Sequence, residues 1–201
     1  MKTTGYIPKL VIIISGLLLI ACLLPGMIPL NQEPAGSMPT MEKDVNKVIE
    51  VLKANNAVRL ESLAQEKYTA QDFAKPGTVT LTINITDNKP TYFSYGWCTV
   101  DDATLQQNFG HIKVSLYFND KKLGSDVVHS LSFTSNNQPC ADFGVLMSDW
   151  PNGEYKLKSV ATFDAKINDG MADYDAGDYV LEYNVTVKKA ANTSQTPSPS
   201  P

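Results

Sequence analysis

From Val79 to Val187 apolar and polar residues alternate with a period of two, the mark of strands that bury one face. Val79, Leu81, Ile83 and Ile85 alternate with Thr80, Thr82 and Asn84 and predict the first strand. The stretch PTYFSYGWC (90–98) predicts a second, and Ile112, Val114, Leu116 and Phe118 a third. Stretches 126–133 and 141–147 supply two more, and 153–163 and 178–187 complete the set. Turn-forming residues separate them at Asp87–Pro90, Asn119-Asp120, Asn136-Asn137, Pro151–Gly153 and Asp169-Gly170. Ahead of the strands the period is helical. Val45, Val48, Ile49 and Leu52 predict a helix over 41–54, with Thr40 as its cap and Glu42 and Asp44 favouring its positive end. Asn55-Asn56 stops it, and Val58, Leu60, Leu63 and Ala64 predict a shorter helix over 57–67. The apolar stripe of this segment is a packing face, so the helices form a stalk or a cover for the strands. The sequence AKPGT (74–78) ends the helical region.

Seven strands in about 110 residues is the count of an immunoglobulin-like or fibronectin-type sandwich. One local feature strengthens this. Asp149-Trp150-Pro151-Asn152-Gly153-Glu154-Tyr155-Lys156-Leu157 resembles the tyrosine corner of such domains. There a turn containing glycine leads into the sixth strand, and a tyrosine two residues on bonds back to the backbone. The resemblance gives that structural role to Tyr155. It places Leu157 where antibody domains carry cysteine. It implies a mainly β fold, a seven-stranded Ig-like sandwich over 76–188, and no particular activity, because this architecture hosts many. A competing architecture is the cone-shaped ketosteroid-isomerase-like α+β class, with a ligand pocket inside one curved sheet. That class needs a further helix, for which DDATLQQNF (101–109) is the candidate.

The N-terminus sets the expected location. Lys2 and Lys9 precede the run LVIIISGLLLIACLL (10–24), and no acid appears before Glu33. A run of about 15 apolar residues is short for a membrane span and suits a signal core; extended through Leu30 it reaches spanning length, interrupted by Pro25 and Pro29. The positive end stays in the cytoplasm, so every reading exports the rest of the chain. Leu19-Ile20-Ala21-Cys22 resembles the lipobox of bacterial lipoproteins, which implies lipidation at Cys22. Residues after Cys22 stay apolar, which favours a retained anchor over a lipoprotein or a cleaved signal. The expected organisation is a signal or anchor segment (1–30), a linker (31–39), a helical segment (40–73), the sandwich (76–188) and a Ser/Thr/Pro tail (189–201).

Charge narrows the partners. The chain has 17 basic and 21 acidic residues, a net −4, and Arg59 is its one arginine. A nucleic-acid reader needs a basic patch and arginine forks, so nucleic acid is excluded as a partner. Of three cysteines, Cys98 and Cys140 lie in the exported part, where an even pair reads as a disulfide. Closing that loop contributes about 4 kcal/mol in the chain-entropy account.

Candidate chemistry is sparse. His111 and His129 lie at strands and belong to no catalytic motif. The stretch from Asn168 to Asp178 is the densest in acid; Asp173, Asp175 and Asp178 could offer oxygens to Ca²⁺, although the spacing is not that of an EF-hand and the bland alternative is a solvated turn. No other cofactor is suggested. In Tyr92–Cys98, alternation puts Phe93, Tyr95 and Trp97 on one face. With Cys98 turned inward to its partner, that aromatic face points outward as a surface for a protein or carbohydrate ligand. The function expected is a membrane-anchored extracytoplasmic binding or accessory module of the cell envelope, without catalysis. The alternatives are a small-ligand carrier or enzyme on the α+β fold, and a structural subunit of a membrane complex.

Overall fold

The computed structural model describes residues 37–189. The apolar run, Cys22 and the tail from residue 190 lie outside the described residues. In chain order the described elements are β1 (Thr40–Met41), α1 (Val45–Lys53), β2 (Val58–Arg59), 3-10 turns at Leu60–Leu63 and Ala70–Phe73, β3 (Gly77–Ile85), β4 (Thr91–Cys98) and α2 (Asp102–Phe109). They continue with β5 (Ile112–Phe118), β6 (Lys121–Lys122), β7 (His129–Ser135), β8 (Gln138–Ser148), β9 (Gly153–Phe163), β10 (Ile167–Asn168), β11 (Asp173–Tyr174) and β12 (Gly177–Val187). The fold is mainly β, and all seven predicted strands form.

Two five-stranded sheets take ten of the described strands, and β10 and β11 pair with each other as a separate antiparallel ribbon. In one, β8 is central: β4 lies on one side of it, with β2 beyond, and β7 and β1 divide the other side. The second runs β3-β12-β9-β5-β6. Pairing is antiparallel except for β3 on β12 and β2 on β4, which are parallel. Asn119-Asp120 and Asn136-Asn137 each have positive φ at both residues, which two-residue hairpins require and asparagine and aspartate tolerate. The sheets are separate and face one another, so the single curved sheet of the cone-shaped α+β class is not formed.

The inner faces meet in a core that includes Ile83, Phe93, Leu116, Val145, Leu157 and Tyr183. Phe93 meets the Tyr183 ring edge-on, with centroids 5.4 Å apart. This corrects the outward aromatic face. Phe93 is 1% exposed and Trp97 9%. The reason lies in the register: Cys98 faces Cys140 on the neighbouring strand of the same sheet, and the two are disulfide-bonded. A bond between adjacent strands makes no demand on the space between the sheets. Cys98, Cys140 and Tyr92 therefore take the outer face, and Phe93, Tyr95 and Trp97 take the inner one.

The outer face is covered as well. Val48 of α1 is buried against Tyr92 and Leu146. The 40–73 segment is thus a cover for the sheet, and its details differ from the prediction. Thr40 is in β1, paired with Ser148, and the helix is capped by Asp44, whose carboxylate accepts from Asn46 N at 2.9 Å. The second helix is replaced by β2 and a 3-10 turn. Val58 and Leu60 suit a period of two as well as a helical stripe, and the open edge of β4 supplies backbone partners that a helix would leave unpaired.

Tyr155 follows Gly153 into β9, and its hydroxyl donates to Pro151 O at 3.0 Å. Tyr179 repeats the arrangement on β12, two residues after Gly177, donating to Asp175 O at 3.0 Å.

Candidate functional site: an aromatic cleft between the sheets

Past Phe93, β4 carries Tyr95 and Trp97 towards the ends of β9 and β12. A cavity of about 280 Å³ opens there, lined by Tyr95, Trp97, Phe163, Tyr174 and Tyr179, with Glu61, Tyr68 and Phe73 from the segment before β3. The rings brace one another. Trp97 meets Phe163 at 5.3 Å and Tyr174 at 4.9 Å, both edge-on, and Phe163 lies 4.5 Å from Tyr179. Tyr68 and Phe73 form a second edge-on pair at 5.2 Å. Such pairs favour edge-to-face geometry because the ring face is electron-rich and the rim electron-poor.

The acidic stretch builds one wall of this cleft. Asp169 is 5% exposed and organises the loop: Oδ1 accepts from Met171 N at 2.7 Å and Ala172 N at 2.8 Å, and Oδ2 accepts from the Tyr174 hydroxyl at 3.1 Å. Burial, with the Asp169 carboxylate beside it, pushes the Tyr174 phenol up to about 12. Burial also raises the Tyr95 phenol, and the nearby Tyr174 and Tyr179 add to the rise. All three stay neutral donors at physiological pH.

Glu61 stands at the rim, exposed yet set against apolar walls. That desolvation raises its carboxyl above the usual range, and Arg59 pulls it back down. Arg59 is itself committed. Its Nη1 lies 3.1 Å from Asp142 Oδ2 and donates to Ser94 Oγ at 3.4 Å, and the guanidinium sits over the Tyr92 and Phe133 rings at 5.7 and 5.9 Å. Asp142 is 2% exposed and its Oδ1 has no partner. Burial raises its carboxyl, against the pull of Arg59.

The other candidate residues are dispersed. Asp173 pairs with Lys166 at 2.9 Å and accepts from Asn168 at 2.7 Å. Asp178 accepts from Thr162 at 2.6 Å, and Asp175 offers its backbone carbonyl to Tyr179. The structure does not gather the three carboxylates, and among the described residues no three His, Cys, Asp or Glu side chains converge as metal ligands. Asp101 caps α2, accepting from Thr104 N at 2.7 Å. His111 pairs with Asp164 at 2.8 Å, and His129 bonds to Glu42 O at 3.1 Å. Of the predicted aromatic surface, Tyr95 and Trp97 line the cleft and Phe93 does not. Sequence reasoning missed Glu61, Tyr68, Phe73, Phe163, Tyr174 and Tyr179. Tyr179 had a signal: Gly177-Asp178-Tyr179 repeats the spacing of Gly153-Glu154-Tyr155.

Loops meet at one end of the sheets. Val100 N donates to Asp169 O at 2.9 Å, and Gln138 Nε2 to Met171 Sδ at 3.5 Å. Val100 packs on Gly170, whose φ of 94° suits glycine and where a Cβ would strike the valine. Val100 and Met171 are exposed there, at 45% and 66%.

No protein-family model and no curated protein matches the chain. Similar solved structures include PbICP-C in complex with falcipain-2, at 8% identity and TM-score 0.32 over 66% of this chain and 99% of that one. The cysteine protease inhibitor EhICP2 from Entamoeba histolytica is similar at 8% identity and TM-score 0.28, over 66% of this chain and 94% of that one. Amebosin is similar at 12% identity and TM-score 0.26, over 55% and 96%. Similarity of this degree assigns no activity.

Proposed function

We propose that the chain is a non-catalytic, Ig-like binding module, held at the membrane by its N-terminal apolar run and working on the extracytoplasmic face of the cell envelope. Strand order supports the Ig-like reading. The first long strand, β3, joins the last, β12, in parallel, and β9 and β5 follow. The opposing sheet sets β8 between β4 and β7. The tyrosine corner at Tyr155 belongs to the same pattern. The lysines before the apolar run and the disulfide suit an exported domain.

The aromatic cleft carries the binding reading. Concave, mostly apolar sites with a few fixed polar groups are where ligands bind, and Tyr95 and Trp97 meet Glu61 in such a place. A carbohydrate or protein segment from the envelope is the partner. Titrating the full chain with envelope polysaccharide and with envelope protein, while following tryptophan emission, tests this. Trp97 lines the cleft and Trp150 is buried in the core, so a response that persists in Trp150→Phe reports the cleft. Tyr95→Leu should then weaken the response at least ~10-fold, on the scale of losing an aromatic contact. An equal response in Tyr95→Leu contradicts the site.

Exposed Val100 and Met171 support a second surface, at the loop end, for a protein partner. Met171→Glu should weaken a protein contact made there and leave the cleft titration unchanged.

A further inference from the structure

We propose that the free edge of β7 pairs with β7 of a second copy of this chain, antiparallel about a two-fold axis at Ser132, so that the first sheets of the two copies join into one. This contact lies away from the cleft and does not depend on it.

The ladder shows which groups the edge offers. Thr99 N donates to Pro139 O, so the odd residues of β8 bond towards β4 and the even ones towards β7. Cys140 and Asp142 stand opposite Phe133 and Leu131, which therefore exchange their backbone bonds with β8. The N–H and C=O groups of Ser130, Ser132 and Thr134 point the other way. Among the described residues no strand pairs with that side of β7, and all three residues are exposed.

Other edges are guarded. In the second sheet β6 closes one end with Lys121 and Lys122. At the other end Ala64 bridges to Ile83, Gln65 N donates to Thr82 O, and the Glu66 carboxylate accepts from Thr82 N at 2.6 Å. In the first sheet β2 covers the start of β4. By contrast β7 runs for seven residues without lysine, arginine, aspartate, glutamate or proline, the residues by which open edges resist pairing.

The strand complements itself. Full antiparallel overlap sets Ser132 against its own copy, Ser130 against Thr134 and Leu131 against Phe133. The serine and threonine pairs exchange main-chain bonds, and their hydroxyls meet on the inner face. Leu131 and Phe133 fall in the closer, non-hydrogen-bonded pairs of the outer face, where an aromatic ring and an aliphatic side chain pack well. No like charges meet. A patch that complements itself closes as a two-fold dimer. Apolar surface beside the edge extends the contact: Val45 of α1 and Phe133 are 36% and 38% exposed, and both line a cavity of about 500 Å³ between α1 and β7.

The test weighs the full chain in a maltoside detergent by sedimentation equilibrium and follows amide exchange residue by residue. The proposal expects a dimer in which the Ser130, Ser132 and Thr134 amides exchange at least ~10-fold more slowly than in the diluted monomer. Ser132→Lys sets two lysines face to face and should weaken association at least ~10-fold, with the monomer's melting temperature unchanged. Ser132→Pro removes only the outward N–H, keeps the β7–β8 ladder and should weaken association as well. A wild type that stays monomeric overturns the proposal. So does a dimer that survives Ser132→Lys with the three amides exchanging freely, which places the contact elsewhere in the chain. Protection of those amides in the native membrane, in a chain that is monomeric when purified, gives the edge to a different partner and also overturns it.

Discussion

Arg59 reaches from β2 over the outer face of the sheet to Asp142 on β8, with Nη1 3.1 Å from Oδ2. It is the chain's one arginine, and it compensates the charge of a carboxylate only 2% exposed. Removing the arginine leaves a buried charge without its partner, which costs more than the pair contributes. Arg59→Met should destabilise the fold by about 3 kcal/mol, below the top of the buried-pair range because the guanidinium is half-exposed. Asp142→Asn in that background should recover part of the loss. Denaturant titration reads both.

The same carboxylate sets a pH dependence. Burial raises Asp142 above its ordinary value of 3.8 in the folded state. A carboxyl raised on folding holds its proton more tightly folded than unfolded. Its stabilising contribution is therefore full below about pH 4 and is lost as pH rises through the folded value. The difference in stability between the wild type and Asp142→Asn should change across that window and level off above it. A constant difference from pH 3 to 8 contradicts the assignment.

Phe93 and Tyr95 sit two residues apart on one face and do different work. Phe93→Ala should cost about 3–5 kcal/mol, the range for emptying a core aromatic site. Tyr95→Leu lines the cleft with a smaller apolar side chain and should cost under about 1.5 kcal/mol. Equal losses would return both residues to a single role.

The Cys98–Cys140 bond ties β4 to β8 across one register pair. Its reduction should lower stability by up to about 4 kcal/mol, because the unfolded chain regains the freedom of the closed loop. Intact mass should rise by about 2 Da on reduction, two hydrogens joining the freed thiols. A melting curve indifferent to reductant contradicts a structural bond.

Tyr155→Phe deletes the hydroxyl that bonds to Pro151 O and should cost about 1 kcal/mol. Tyr179→Phe should cost a similar amount, and the two should add, because their bonds involve separate turns.

The strands were legible because period-two alternation records which face is buried, and β3, β5, β9 and β12 keep it along their length. The helix at Val45 was legible for the matching reason. Facing was not legible at β4. Alternation groups Phe93 with Tyr95 and Trp97 but does not say which side meets the second sheet, and a disulfide within one sheet gives the opposite answer from one between sheets. Val58–Leu60 failed because a short apolar pattern fits two periods, and the open edge of β4 decided between them. The cleft was legible in part. Tyr95 and Trp97 stand in an obvious aromatic cluster. Tyr174 is hidden among aspartates that draw attention to their charge, while the loop uses Asp169 to aim the ring. Glu61 becomes noticeable only when the chain brings it beside those rings.

Hydroxyl-radical footprinting of the full chain, in its native membrane and after purification, tests the central claim most directly. Half-buried Tyr95 and Tyr174 report the cleft, and exposed Phe133, on the other face of the first sheet, serves as reference. An occupied cleft predicts that Tyr95 and Tyr174 are protected in the native membrane and become reactive on purification, while Phe133 is unchanged. Equal reactivity of Tyr95 and Tyr174 in both states would contradict a cleft that holds a ligand in the envelope.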